Sequence, residues 1–96
     1  SMDNTPIYQM DTEEGVMGMA NKNGSIIVDK NLSPLEQEDV VRHERVHLDQ
    51  MKRGDLDYDN DNVYWKGKKV PRSTMDEGNK NLPWEKEAYK ANKLKK

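Results

Sequence analysis

Cysteine is absent from this 96-residue chain, and so is phenylalanine. Without cysteine there can be no disulfide and no zinc site built on thiolates, although the compartment stays open. No run approaches the length of apolar sequence that a membrane span needs. The N-terminus lacks the basic region and apolar core of a signal peptide, and Ser1-Met2 reads as a scar of tag cleavage, so Ser1 is set aside. Charge is nearly balanced, with 16 Lys and Arg against 18 Asp and Glu for a formal net of −2. That gives no electrostatic basis for nucleic-acid binding. A cytoplasmic monomer without membrane attachment is the expectation.

Apolar residues are also few. Leu, Ile, Val and Phe together number 16 of 96, under the roughly 20% below which chains tend to disorder. The small net charge argues the other way, because disorder pairs low hydrophobicity with strong self-repulsion. A single domain with a thin core is therefore expected, resting on two Trp, four Tyr and six Met. Such a core would gain from a metal, whose binding adds folding free energy. Residues 1–14 read as a polar N-terminal segment and 15–96 as the domain.

Histidine is as scarce, and its placement is informative. Both histidines fall in His43-Glu44-Arg45-Val46-His47, an HExxH pattern. On a helix, residues four apart share one face, so the two imidazoles can grip one zinc ion. Glu44 projects beside the metal, where a carboxylate can take a proton from water held there. The surrounding sequence predicts the helix. Ser33-Pro34-Leu35-Glu36 supplies a serine cap, proline at the first helical position and the glutamate of a capping box. No glycine or proline interrupts Leu35 to Arg53, Gly54 is a natural stop, and Lys52 and Arg53 favour the negative end of the dipole. Leu35, Val41, Leu48 and Met51 form the expected apolar stripe, with Val40 at its edge.

A third ligand must be a carboxylate or water. Arg53 stands where the longer motif would place a third histidine, so a two-histidine, one-carboxylate site remains. Leu82-Pro83-Trp84-Glu85-Lys86-Glu87-Ala88-Tyr89 reads as the start of a second helix that carries acids in its first turn. One aspartate of Asp55 to Asp61 is a further candidate.

HERVHLDQ followed at a distance by LPWEKEAY resembles the small gluzincin-type zinc metallopeptidases, whose minimal domains are common in phages and bacteria. The resemblance spans about Ser25 to Lys93, its specific part being the two motifs. It implies that His43 and His47 hold one zinc ion, that Glu44 is general base and acid, and that a glutamate of the second helix completes the site. Related families carry that ligand in a Glu-x-x-Ala-Asp pattern, which Glu85 to Tyr89 matches with tyrosine in place of aspartate. Glu85 is the expected ligand, because Ala88 one turn later lets the helices approach. Glu87 is its rival, and Tyr89 or Gln50 would supply the hydrogen bond behind a ligand. The expected fold is α+β and zincin-like, with small hairpins or a small sheet, a long active-site helix and a C-terminal glutamate helix. The implied activity is hydrolysis of a peptide or protein substrate. The alternative is a zinc-binding structural or phage-associated interaction domain without turnover, and a third reading is an HExxH that holds no metal.

The remaining segments each carry a bland and a functional reading. The N-terminal segment is a surface or strand-pairing terminus, or a latency peptide over the cleft. Val16 to Met19 and Ser25 to Val28 flank Asn21-Lys22-Asn23-Gly24, a hairpin signal. Zincins hold extended peptides along a strand just before the active-site helix, which Ile26 to Val28 would provide if its edge were open. Asp55 to Asp61 fails the EF-hand pattern at Asn60 and Lys66, leaving a solvated acidic turn or a weak cation site. Val63 to Trp65 and Lys69-Val70 read as a second hairpin, with Tyr64 and Trp65 in the core or, for tyrosine, near an oxyanion. Pro71 to Asn81 reads as a loop. Gln50 shares the histidine face, either as a helix-end polar residue or as a partner of His47, the glutamate helix or substrate. Lys90, Lys93, Lys95 and Lys96 read as a solvated helix end or a basic arm.

Overall fold

A computed structural model of the chain describes residues 4–94. The long helix α1 runs Pro34–Lys52, and its start is chemically specified. Ser33 Oγ accepts from the Glu36 N–H at 3.2 Å, and the Ser33 N–H donates to Glu36 Oε1 at 3.0 Å, which closes the capping box. Its other end is a Schellman turn. The Gly54 N–H donates to Met51 O and the Asp55 N–H to Gln50 O, with Gly54 at φ +85° where a side chain would be strained.

Two three-stranded sheets flank this helix. The first comprises β1 (Ile7–Met10), β2 (Gly18–Ala20) and β3 (Ile26–Asp29) in the order β1-β3-β2. The hairpin β2-β3 is antiparallel, with Met19 opposite Ile27, and Gly24 takes φ +89° in its loop. The second sheet is a meander of β4 (Leu56–Tyr58), β5 (Asn62–Trp65) and β6 (Lys68–Pro71). Lys66 and Gly67 both take positive φ between β5 and β6, as a two-residue hairpin turn requires. Both predicted hairpins are present. A short 3-10 turn, Arg72–Thr74, and a loop lead to helix α2, Pro83–Tyr89. The architecture is α+β.

Of the readings of the N-terminal segment, the strand-pairing terminus is the one seen: Ile7 to Met10 pair in parallel with β3, on the opposite side of β3 from β2. Two expectations are corrected. Leu56 to Tyr58 is a strand rather than part of an acidic turn; Leu56 is buried against Val63 and Trp84 and draws this segment into the sheet. The apolar stripe of α1 is also reassigned. Leu35 is 66% exposed, while the helix buries Asp39, Val40, His47 and Gln50. The inward face mixes chemistry with hydrocarbon: Val40 is buried and Met51 packs on apolar neighbours, while the start of the stripe at Leu35 falls in solvent.

The apolar interior is correspondingly divided. Ile26, Val28 and Val40 are buried where the first sheet meets α1. Leu56, Val63 and Trp84 form a second cluster, ringed by Met51, Tyr58, Trp65, Val70, Met75 and Leu82. The functional face of α1 and the first turn of α2 lie against each other. No helix among the described residues is long and apolar enough to cross a membrane.

Candidate metal centre

Helical spacing places Asp39, His43 and His47 one turn apart on α1, and Gln50 three residues further along the same face. Pro83 opens α2, where its missing N–H costs nothing, and so brings Glu85 into the first turn of that helix. Glu85 Oε1 lies 2.9 Å from His43 Nε2 and 3.1 Å from His47 Nε2. All three side chains are nearly withdrawn from solvent, with 12%, 9% and 12% exposure for His43, His47 and Glu85. Ala88 is fully buried and adds little bulk between α2 and α1.

His43, His47 and Glu85 each offer one ligand atom, and these atoms lie within 4.8 Å of one another. Ligands held at about 2.0–2.1 Å in a tetrahedral shell stand about 3.3 Å apart, close to the imidazole–carboxylate separations here. The group could hold a metal ion. Among the described residues it is the one convergent set of three or more His, Asp or Glu side chains.

Each imidazole is also fixed from behind. His43 Nδ1 lies 2.8 Å from Asn92 Oδ1, and Asn92 Nδ2 donates to Asp39 Oδ2 at 2.8 Å. His47 Nδ1 lies 2.8 Å from Gln50 Oε1, and Gln50 Nε2 donates to Glu87 Oε1 at 2.6 Å and Trp84 O at 3.0 Å. An ionised carboxylate only accepts, so it turns the amide nitrogen toward itself and the amide oxygen toward the ring. That oxygen requires a proton on Nδ1, so a neutral ring has its lone pair on Nε2, facing the cluster, whereas a charged ring donates from Nε2 to Glu85. Two parallel chains, imidazole to amide to carboxylate, therefore set both tautomers.

The titration behaviour follows from these contacts. Burial alone would raise the Glu85 carboxyl, but the hydrogen bonds and charges of His43 and His47 hold it down at about 2. Burial would lower both histidines, yet the contact with Glu85 raises each above its ordinary value, with Asn92 assisting His43 and Gln50 assisting His47. Protons and a divalent cation thus compete for the same atoms. Glu44 stands outside the three-residue group. Burial pushes its carboxyl above the usual range, opposed by the two histidines and by a hydrogen bond from the Ala20 backbone.

Comparison with protein-family models, with curated proteins and with solved structures finds no match to this chain. The site is defined by its own chemistry.

Glu85 sits between the histidines, whereas Glu87 turns to Gln50 and to Arg53, 2.8 Å away. Gln50 engages His47 and α2 together. Tyr89 does not supply the expected hydrogen bond to a ligand: its ring packs edge-on to His43 with centroids 4.6 Å apart, and its hydroxyl donates to Gly78 O at 3.3 Å. Burial, followed by the charges of Glu85 and Glu44, raises that phenol. Tyr64 and Trp65 belong elsewhere, the first donating to Asp59 and the second packing on Trp84. Asp59 accepts from the Asp61 and Asn62 N–H groups, so the part of the aspartate-rich stretch beyond β4 is tied up as a turn. Of the basic tail, Lys90 caps α2 and Lys93 is exposed, while Lys95 and Lys96 lie outside the described residues.

Two residues escaped the sequence reading. Asp39 carried a usable signal, because it lies four residues before His43 on the same helix face. Asn92 carried none, since an amide in a lysine-rich tail has no spacing that marks it.

Proposed function

We propose that this chain is a zinc-dependent peptidase. The observation that carries the reading is the convergence of His43, His47 and Glu85 with Glu44 beside them, partly buried and outside the ligand set. Simple metal storage gives that second carboxylate no task.

Zinc bound there would supply a Lewis acid for a peptide carbonyl and lower the pKa of a water to about 7. Glu44, held by Ala20 and raised by burial, is suited to take a proton from water and return it to the departing amine. Substrate has a strand to lie against, though not the one anticipated. β3 has β1 on one side and β2 on the other, so its edges are closed. The open edge nearest Glu44 belongs to β2. Asp29 N–H to Met17 O and Asn21 N–H to Ser25 O bracket the hairpin, and by antiparallel alternation Gly18 and Ala20 turn their backbone groups outward. Ala20 O already accepts from the Tyr58 hydroxyl, which leaves Gly18 to pair with an extended peptide.

Turnover of unstructured peptides by wild type and Glu44→Gln, with bound zinc measured in both, tests the reading. Zinc retained with activity down about 100- to 10,000-fold is expected. Equal turnover in the two proteins overturns it.

One observation favours a second reading, a structural zinc site. The proposed ligands come from two different helices, α1 and α2, so zinc would pin them together. Zinc-dependent stability without turnover by wild type would favour that role.

A further inference from the structure

The segment that follows α2 folds back onto α1 instead of leaving the domain. Its anchor is the Asp39 side chain, which is 5% exposed. Asp39 Oδ1 accepts from the Lys93 N–H at 2.6 Å, and Oδ2 accepts from Asn92 Nδ2 at 2.8 Å and from the Leu94 N–H at 3.3 Å. Arg42 Nη1 approaches Oδ1 at 3.4 Å. One buried carboxylate thus gathers two backbone donors and one amide from three consecutive residues, and the amide's other end reaches His43.

We propose that Asn92 is a positioning residue for His43, and that Asp39 holds the strap Asn92–Leu94 in place so that metal affinity depends on strap docking. The inference rests on the metal-site reading above. Its physical basis is the order in which the groups constrain one another. Asp39, acting only as acceptor, orients the Asn92 amide; the amide oxygen then requires the proton on His43 Nδ1 and fixes the ring plane. Without Asn92 the ring can rotate or protonate the nitrogen that should face the metal. His47 has its own amide from within α1, three residues along. His43 depends on a residue 49 positions away, so of the two histidines it is the one whose geometry waits on the end of the fold.

The test is zinc affinity, measured by competition with a chromophoric chelator on the full chain. The proteins are wild type, Asn92→Ala, Asn92→Asp, and the exchange that combines Asp39→Asn with Asn92→Asp. Loss of the amide in Asn92→Ala should weaken zinc about 10- to 100-fold. Asn92→Asp places two carboxylates face to face and should also weaken zinc. The exchange restores one carboxylate and one amide across the same contact, at the loss of the acceptor for the Leu94 N–H, and should recover part of the affinity lost in Asn92→Asp, a rescue that general loosening of the tail would not give. Wild-type affinity in Asn92→Ala, or an exchange no better than Asn92→Asp alone, overturns the proposal while the metal site stands. Failure of wild type to bind zinc tightly removes both.

Discussion

Gly18 and Val40 approach so closely that a Cβ added to the glycine would stand 2.5 Å from Val40 Cγ1. The same added atom would lie 3.0 Å from the Ile27 carbonyl and 3.4 Å from Glu44 Cγ. Val40 is buried and branched at Cβ, so it has no free rotamer into which to retreat. Gly18→Ala must therefore push β2 away from α1, at a cost of about 1–3 kcal/mol. A thermal melt reads the stability loss. Peptide turnover should fall further than zinc affinity does, since the displaced strand borders Glu44 and not the ligands.

Zinc titration separates the two glutamates of α2. Glu85→Ala removes the carboxylate between the histidines, and the tight site should be lost. Glu87→Ala leaves that carboxylate in place but frees one side of the Gln50 amide, so a roughly tenfold weakening is expected. The reverse ranking would mean that α2 presents its other face to the metal.

Metal removal should be visible in the melting temperature. Zinc at 100 times its dissociation constant contributes about 2.7 kcal/mol. In a domain of this size that corresponds to roughly 10–20 °C between zinc-loaded and chelator-treated protein. Coincident melts would show that zinc does not favour the folded state.

Acid should release the C-terminal strap. Burial alone would raise the Asp39 carboxyl, but the Lys93 N–H, the Asn92 amide, the Leu94 N–H and Arg42 hold it below its ordinary value of 3.8. A depressed carboxyl adds stability that is fully present above its unfolded value and fades as pH falls through the folded one. In chelator, the melting-temperature gap between wild type and Asp39→Asn should thus be constant from pH 8 to about 5 and shrink below about 4. A gap that persists undiminished at the lowest pH would contradict the ionised clasp.

The parts of this molecule legible in its sequence are those written locally. Ser33-Pro34-Leu35-Glu36 and Gly54 bounded α1 because caps act within one turn. The loops at Gly24 and Gly67 marked both hairpins because positive φ demands glycine nearby. His43 and His47 could be placed on one face from helical spacing alone, with Glu44 beside them, and the short α2 motif brought Glu85 forward. Long-range relationships were not legible. β1 skips β2 to pair in parallel with β3, and nothing within Ile7 to Met10 announces a partner. Asn92 meets Asp39 only after α2 has docked. The stripe through Leu35 failed because hydrophobic periodicity assumes a greasy inward face, whereas α1 turns Asp39, His47 and Gln50 inward.

The parallel pairing of β1 also sets an order of assembly. The β2-β3 hairpin needs only the short loop Asn21 to Ser25 and can form early, while β1 must wait for it and then close a loop that encloses the whole of β2. β1 is consequently the last strand of its sheet to join and the easiest to shed. When it lifts, Ile26 to Asp29 expose a row of unpaired backbone groups on a strand whose Ile26 and Val28 side chains are among the most deeply buried of the domain. At high protein concentration such transient openings are where a second chain can add itself, so association on storage should begin at β3.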